Sequence, residues 1–99
     1  LASTEVEVLN GSGIPGLARL TAQRLERLGF KVVRVDTARS LVATTTIIDR
    51  SGRADVVQFL AELLGSKPIR REPVGSATAD ITVMVARDLA AVGRAVAGR

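Results

Sequence analysis

Residues 5–16 run Glu5-Val6-Glu7-Val8-Leu9-Asn10-Gly11-Ser12-Gly13-Ile14-Pro15-Gly16, and the reading of this stretch decides the fold. Charge alternates with apolar side chains from Glu5 to Leu9, the period-two signature of a strand with one covered face. A glycine-rich turn follows. Pro15 suits the first position of a helix, where its missing N–H is not needed. From Leu17 to Leu28, steps of about 100° per residue place Leu17, Ala18, Thr21, Ala22, Leu25 and Leu28 on one side. Arg19, Gln23, Glu26 and Arg27 fall on the other. Gly29 fits a left-handed helix end with Phe30 folding back on the last turn. Lys31 to Val35 is a second, β-branched strand. The stretch is therefore a strand–turn–helix–strand unit.

Gly11, Gly13 and Gly16 also satisfy G-x-G-x-x-G, and Asp36 lies twenty residues past Gly16, as a dinucleotide-binding unit requires. Two features oppose that reading. The chain lacks the second half that a dinucleotide site spans, and Pro15 removes one donor a phosphate would use. Glycines in this position also permit a tight turn and close helix–sheet packing. Asn10, Gly11, Ser12, Gly13 and Gly16 nevertheless form the candidate ligand-binding set, because successive N–H groups at a helix start make an anion-binding concavity.

Downstream, Thr37 to Val42 reads as a connection and Thr44 to Asp49 as a third strand. The short link between the second and third strands predicts a hairpin-like antiparallel return rather than a parallel crossover. A second helix begins near Ser51-Gly52, with Asp55 in its first turn. Val56, Val57, Phe59, Leu60, Leu63 and Leu64 form its apolar arc, and Gly65 ends it. Pro68 and Pro73 confine Ile69-Arg70-Arg71-Glu72 to a short edge strand. Gly75 to Thr78 is a loop. Asp80 to Ala86, built on Ile81, Val83 and Val85, is apolar enough for a central strand. Asp88 to Ala97 is a short last helix. The expected fold is α/β, two main helices packed on a mixed four- to five-stranded sheet in the order β-α-β-β-α-(β)-β. A split β-α-β pair in the ferredoxin-like manner is one way to draw it, and a mainly parallel sheet with an irregular link between strands two and three is the other. Residues 1–99 make one domain.

The chain is 46% hydrophobic and carries 14 basic against 10 acidic residues, a dispersed excess of +4 that reads as a solvated surface, without the basic stripe of a nucleic-acid binder. No run reaches the roughly 20 apolar residues of a membrane span. There is no Cys, His, Trp or Tyr. The missing His removes the usual general base, the usual hydrolase triad and the commonest metal ligand. Missing Trp and Tyr remove the usual stacking platforms. Asp36, Asp49, Asp80 and Asp88 are the carboxylates available for acid–base or metal work. Without a D-x-D or E-x-x-E spacing they read as turn caps. Thr44-Thr45-Thr46 and Ser76–Thr78 read as half-exposed strand and turn, Arg70-Arg71 as solvated loop, and Phe30 and Phe59 as core. No catalytic residue, metal ligand or cofactor is expected.

The string Val6-Glu7-Val8-Leu9-Asn10-Gly11-Ser12-Gly13, followed by Gly16-Leu17-Ala18 and by Leu28-Gly29-Phe30-Lys31-Val32, resembles the start of the LytR C-terminal domain. Thr45-Thr46-Ile47-Ile48 and Ala79-Asp80-Ile81-Thr82-Val83 resemble its later strands, so the likeness covers most of Val6 to Asp88. Two departures are visible: Thr37 to Val42 carries no clear motif, and the tail beyond Asp88 is long. The resemblance implies an extracytoplasmic module of bacterial cell-envelope proteins. Such modules follow a LytR-CpsA-Psr catalytic domain or a lone transmembrane helix, so the chain is expected to be part of a longer, membrane-anchored protein. By the same resemblance the module is expected to be non-catalytic and to bind cell-wall polymer (peptidoglycan or glycopolymer) or a partner envelope protein. The alternatives are a small nucleotide- or anion-binding domain using Gly11–Gly16 and a structural spacer without ligand. Oligomeric state is not legible in the sequence.

Overall fold

The computed structural model describes residues 3–73 and 79–89. Five strands and two helices follow in the order β1 (Glu5–Asn10), α1 (Leu17–Arg27), β2 (Lys31–Thr37), β3 (Thr46–Asp49), α2 (Ala54–Leu63), β4 (Ile69–Arg71) and β5 (Ile81–Val85). The sheet order is β2-β1-β5-β3-β4. β2, β1 and β5 run parallel, β3 is antiparallel to β5, and β4 is parallel to β3. The expected mixed sheet with two helices is therefore present, with β5 at its centre and the proline-bracketed β4 at one edge.

Alternation along the strands assigns the two faces. Val6 and Val8 pair with Ile81 and Val83, and together with Ile47 and Val85 they join α1 and α2 in a single buried cluster. Both helices thus cover the same face. α1 buries Leu17, Ala18, Thr21, Ala22 and Leu25, while α2 buries Val57, Leu60 and Ala61, followed by Leu64. Leu28 lies beyond the buried stripe of α1. The apolar arc of α2 is narrower than its sequence suggests, because Leu63 and Phe59 face outward. Phe59, expected in the core, is 45% exposed, and its ring stacks on buried Phe30 at 6.5 Å.

Local chemistry sets the helix ends. Gly29 adopts φ 98°, the Phe30 N–H donates to the Leu25 carbonyl and the Gly29 N–H to Glu26, so α1 closes with a Schellman motif. α2 is not started by Ser51. The buried Asp49 Oδ1 accepts from the N–H groups of Ser51, Gly52 and Arg53 at 3.3, 2.8 and 3.2 Å, which fixes the turn leading into the helix and satisfies the N–H of its N-cap residue Arg53.

β2 and β3 do not form the expected hairpin. Their opposed directions are as predicted, but β1 and β5 lie between them. The connecting residues 38–45 pass across the ends of both central strands. Ala38 N–H donates to Asn10 O and Val42 N–H to Gly11 O, each at 2.9 Å. Ala86 N–H donates to Thr45 Oγ1 at 2.9 Å. The backbone bonds a hairpin would have made to β2 are made instead to the strand ends beneath the crossing. Thr45 is accordingly buried and outside β3, which begins at Thr46.

Asp88 fixes the far end of this crossing. Its carboxylate accepts from Thr45 N–H at 3.0 Å and Thr45 Oγ1 at 2.7 Å, and pairs with Lys67 Nζ at 2.8 Å. Burial raises its pKa, but the Lys67 and Thr45 hydrogen bonds outweigh that and hold it below the ordinary carboxylate value. A carboxylate with a lowered folded pKa stabilises the fold above the ordinary carboxylate range and loses that contribution as pH falls through the folded value. Asp88→Asn is therefore expected to melt below the wild type at pH 7, with the gap narrowing below about pH 4. Thermal melts across that range check this. Of the helix expected from Asp88 to Ala97 only Asp88 and Leu89, both helical, are described, and the loop Gly75–Thr78, with its Ser76–Thr78 cluster, lies outside the described residues.

Candidate functional site

The candidate residues meet at the carboxyl end of β1. Asn10 organises the turn. Its Oδ1 accepts from the Ser12 N–H at 3.1 Å and the Ser12 hydroxyl at 2.6 Å, and its Nδ2 donates to Ile14 O at 2.9 Å. Ser12 Oγ in turn accepts from the Ile14 N–H at 2.9 Å. Gly11 N–H donates to Val85 O at 2.8 Å. Three backbone donors that a phosphate cradle would aim outward are thus engaged within the fold. Gly13 and Gly16 hold left-handed φ values of 75° and 83°, which only glycine adopts freely. Gly16 caps α1 without a side-chain hydrogen bond, and the first turn of α1 holds no acidic residue.

Gly11 has a different role. A Cβ added there would lie 2.7 Å from Val42 Cγ2, 3.2 Å from Val85 O and 3.4 Å from Ser40 O. The missing side chain is what lets residues 38–42 cross directly over β1. Between that crossing and the glycine turn lies a groove of about 480 Å³. Its lining is amphipathic. Ile14, Pro15 and Leu41 supply apolar surface, and Asn10, Thr37, Arg39 and Ser40 supply polar groups. Leu41 is 74% exposed at the rim. Arg39, Ser40 and Leu41 are not singled out by the sequence, because the segment has no periodic pattern and becomes a wall only through the crossing.

The four aspartates do not converge. Asp36 lies near the end of β2 and Asp49 at the end of β3, which runs the opposite way, so the two sit at opposite ends of the sheet. Asp36 is held below the ordinary carboxylate pKa by the Thr37 N–H and then by Arg34. Asp80 is lowered chiefly by the Glu5 N–H at 2.9 Å. Each thus serves local backbone or an ion pair, and among the described residues no group of acidic side chains is arranged to hold a metal ion.

The face of the sheet away from the helices carries a polar chain that runs strand by strand across the sheet. Asp36 pairs with Arg34 at 2.9 Å, Arg34 with Glu7 at 2.9 Å, and Glu7 Oε1 accepts from Thr82 Oγ1 at 2.9 Å. Arg50 Nε donates to Thr82 Oγ1 at 2.9 Å, its Nη1 approaches Glu72 at 3.9 Å, and Glu72 pairs with Arg70 at 2.7 Å. Glu7 and Thr82 are buried. A buried carboxylate needs such partners, and here it has both a cation and a hydroxyl. Arg70, read as solvated, joins this chain from β4.

The family model described as LytR cell envelope-related transcriptional attenuator matches residues 3–89. Among solved structures, the soluble domain of a conserved hypothetical secreted protein from Mycobacterium marinum is similar in fold, with a TM-score of 0.71 at 21% identity. That match covers 89% of this chain and 62% of the other, so the chain spans less than two thirds of its length. The C-terminal domain of RV0431, determined in solution, gives a TM-score of 0.49 at 27% identity over 84% of this chain and 71% of that one. No curated protein matches the chain.

Proposed function

The chain belongs to the LytR C-terminal domain family, an envelope-associated family, and from that membership we propose a non-catalytic module that holds a cell-wall polymer in the groove between the glycine turn and residues 38–42. The module works outside the cytoplasm, in a protein anchored to the membrane through another segment. The amphipathic lining of the groove is the observation that supports this reading. Saccharide rings present both apolar faces and hydroxyl edges. Ile14, Pro15 and Leu41 match the former, and Thr37 and Ser40 the latter. Arg39 supplies a cation for the carboxylates of a cell-wall peptide.

The engaged N–H donors of Gly11, Ser12 and Ile14 favour a polymer over a nucleotide, which would need them free. Asn10 and Ser12 shape the groove by fixing the turn, Gly11 admits the crossing residues that form its other wall, Gly13 lines it, and Gly16 starts α1 beside it. Sedimentation with purified peptidoglycan tests the reading. The chain is expected to be retained more than a control protein of similar basicity, and the Arg39→Ala/Leu41→Ala double variant to lose most of that retention with its melting temperature unchanged. Retention no greater than the control's would overturn the polymer reading and leave the partner-protein or spacer readings.

A further inference from the structure

The two edges of the sheet are built differently. β4 is three residues long between Pro68 and Pro73, a short, blunted edge. β2 is seven residues long, contains no proline, and has no neighbour on its outer side among the described residues. Val33 and Val35 on it are each 39% exposed. An edge of this kind is a template for another strand. Alongside it runs a cleft of about 270 Å³ between β2 and α1, lined by Arg19, Ala22, Gln23 and Glu26 and by residues 32–35.

We propose that this edge pairs with the same edge of a second copy, strand antiparallel to strand and helix antiparallel to helix about one twofold axis. Self-complementarity is the argument. The pairing of β1 with β2 carries a bulge at Val33, since Val6 pairs with Val32 and Glu7 with Arg34. Val32 and Val35 therefore lie on the helix-covered face, and Lys31, Arg34 and Asp36 on the other. In a strand without a bulge, a twofold axis between two residues would set opposite faces against each other. The bulge removes that conflict. With the axis between Val33 and Arg34, Val32 meets Val35 of the second copy on one face, and Lys31 meets Asp36 on the other. Registers shifted by one residue in either direction set Val32 against a charged residue of the opposite face.

The helix obeys the same symmetry. The α1 residues of the cleft, 19, 22, 23 and 26, are centred midway between Ala22 and Gln23, as residues 32–35 are centred between Val33 and Arg34. An axis through both midpoints brings Arg19 of one copy to Glu26 of the other, twice. The result is a continuous ten-stranded sheet, an isologous interface in which one patch serves both sides. It lies away from the polymer groove and does not rest on that reading.

Charge reversal across the axis tests the pairing. Sedimentation equilibrium of the 99-residue chain is expected to show a monomer–dimer equilibrium. Arg19→Glu leaves two carboxylates facing each other at both contacts, and Glu26→Arg leaves two guanidinium groups there. Each variant alone should therefore dimerise at least tenfold more weakly. An equimolar mixture of the two should form a heterodimer, because every contact across the axis is then between opposite charges. Circular dichroism confirms that each variant is folded. A wild-type chain that stays monomeric up to its solubility limit would overturn the proposal and leave the edge to an extended segment of a different protein. Single variants that dimerise as the wild type does, or a mixture that gains nothing, would overturn it as well.

Discussion

Gly11→Val is expected to unfold the domain at a markedly lower temperature, with a loss of about 3 kcal/mol from overpacking. The position has no left-handed φ, so the cost arises from neighbours. Val42 is β-branched and stiff at χ1, and the next two atoms, Val85 O and Ser40 O, belong to backbone already engaged in the crossing. The crossing must lift from the ends of β1 and β5, losing the Val42–Gly11 hydrogen bond. For a domain of this size the shift is about 12 to 24 °C in Tm. Gly16→Ala is the contrast. No atom lies within 4 Å of its added Cβ, so only the left-handed φ is penalised, by about 1 kcal/mol. Calorimetry of the two variants separates close approach from backbone strain. Equal losses would contradict the role assigned to Gly11. Peptidoglycan retention should fall with Gly11→Val beyond what unfolding explains, since one wall of the groove moves.

Glu7→Ala is expected to cost about 2 to 3 kcal/mol. Removing one partner of a buried, hydrogen-bonded charge leaves the others uncompensated, and an unpaired buried hydroxyl adds its own desolvation. Two circumstances keep the figure below that of a fully buried pair. Arg34 is half exposed and retains Asp36. Thr82 keeps its hydrogen bond from Arg50 but loses the acceptor for its own proton. Glu7→Gln conserves shape and one acceptor and should lose about half as much. Urea unfolding with an unchanged m value would place the effect in stability rather than in the denatured state. A Glu7→Ala variant as stable as the wild type would mean that the polar chain contributes nothing to holding β1 to β5.

These two residues mark where the sequence is legible and where it is not. Period-two alternation identifies β1 and β5, and the 3.6-residue pattern identifies both helices, because each presents one face to a single apolar layer. Gly29 with Phe30 announces the end of α1 through local bonding alone. What cannot be read is anything depending on non-neighbouring strands. The link between β2 and β3 is short, and shortness suits a hairpin. Nothing local in residues 37–45 reveals that two strands lie between its ends. The groove inherits that difficulty, since Arg39 and Leu41 face Ile14 and Pro15 only because of the crossing. The same holds for Glu7, which alternation places on a solvated face. Its burial depends on Thr82, 75 residues away. Phe59 shows the converse error, an aromatic side chain assigned to the core as part of the apolar arc of α2, although it lies at the edge of that arc and is turned outward.

The position of β5 has a consequence for how the domain comes into being. β1-α1-β2 and β3-α2-β4 are each made from neighbouring stretches of chain, and the strand that joins them is the last of the five in sequence. Its pairing of Val6 with Ile81 closes a long loop, a non-local step that slows folding. A chain made from its N-terminus forward therefore holds two wings of the sheet before it holds the centre. Until Val85 is available, Val6, Val8 and Ile47 keep an unsatisfied strand edge beside them. The interval between synthesis of the wings and arrival of the keystone is the period in which the nascent domain is open to mispairing.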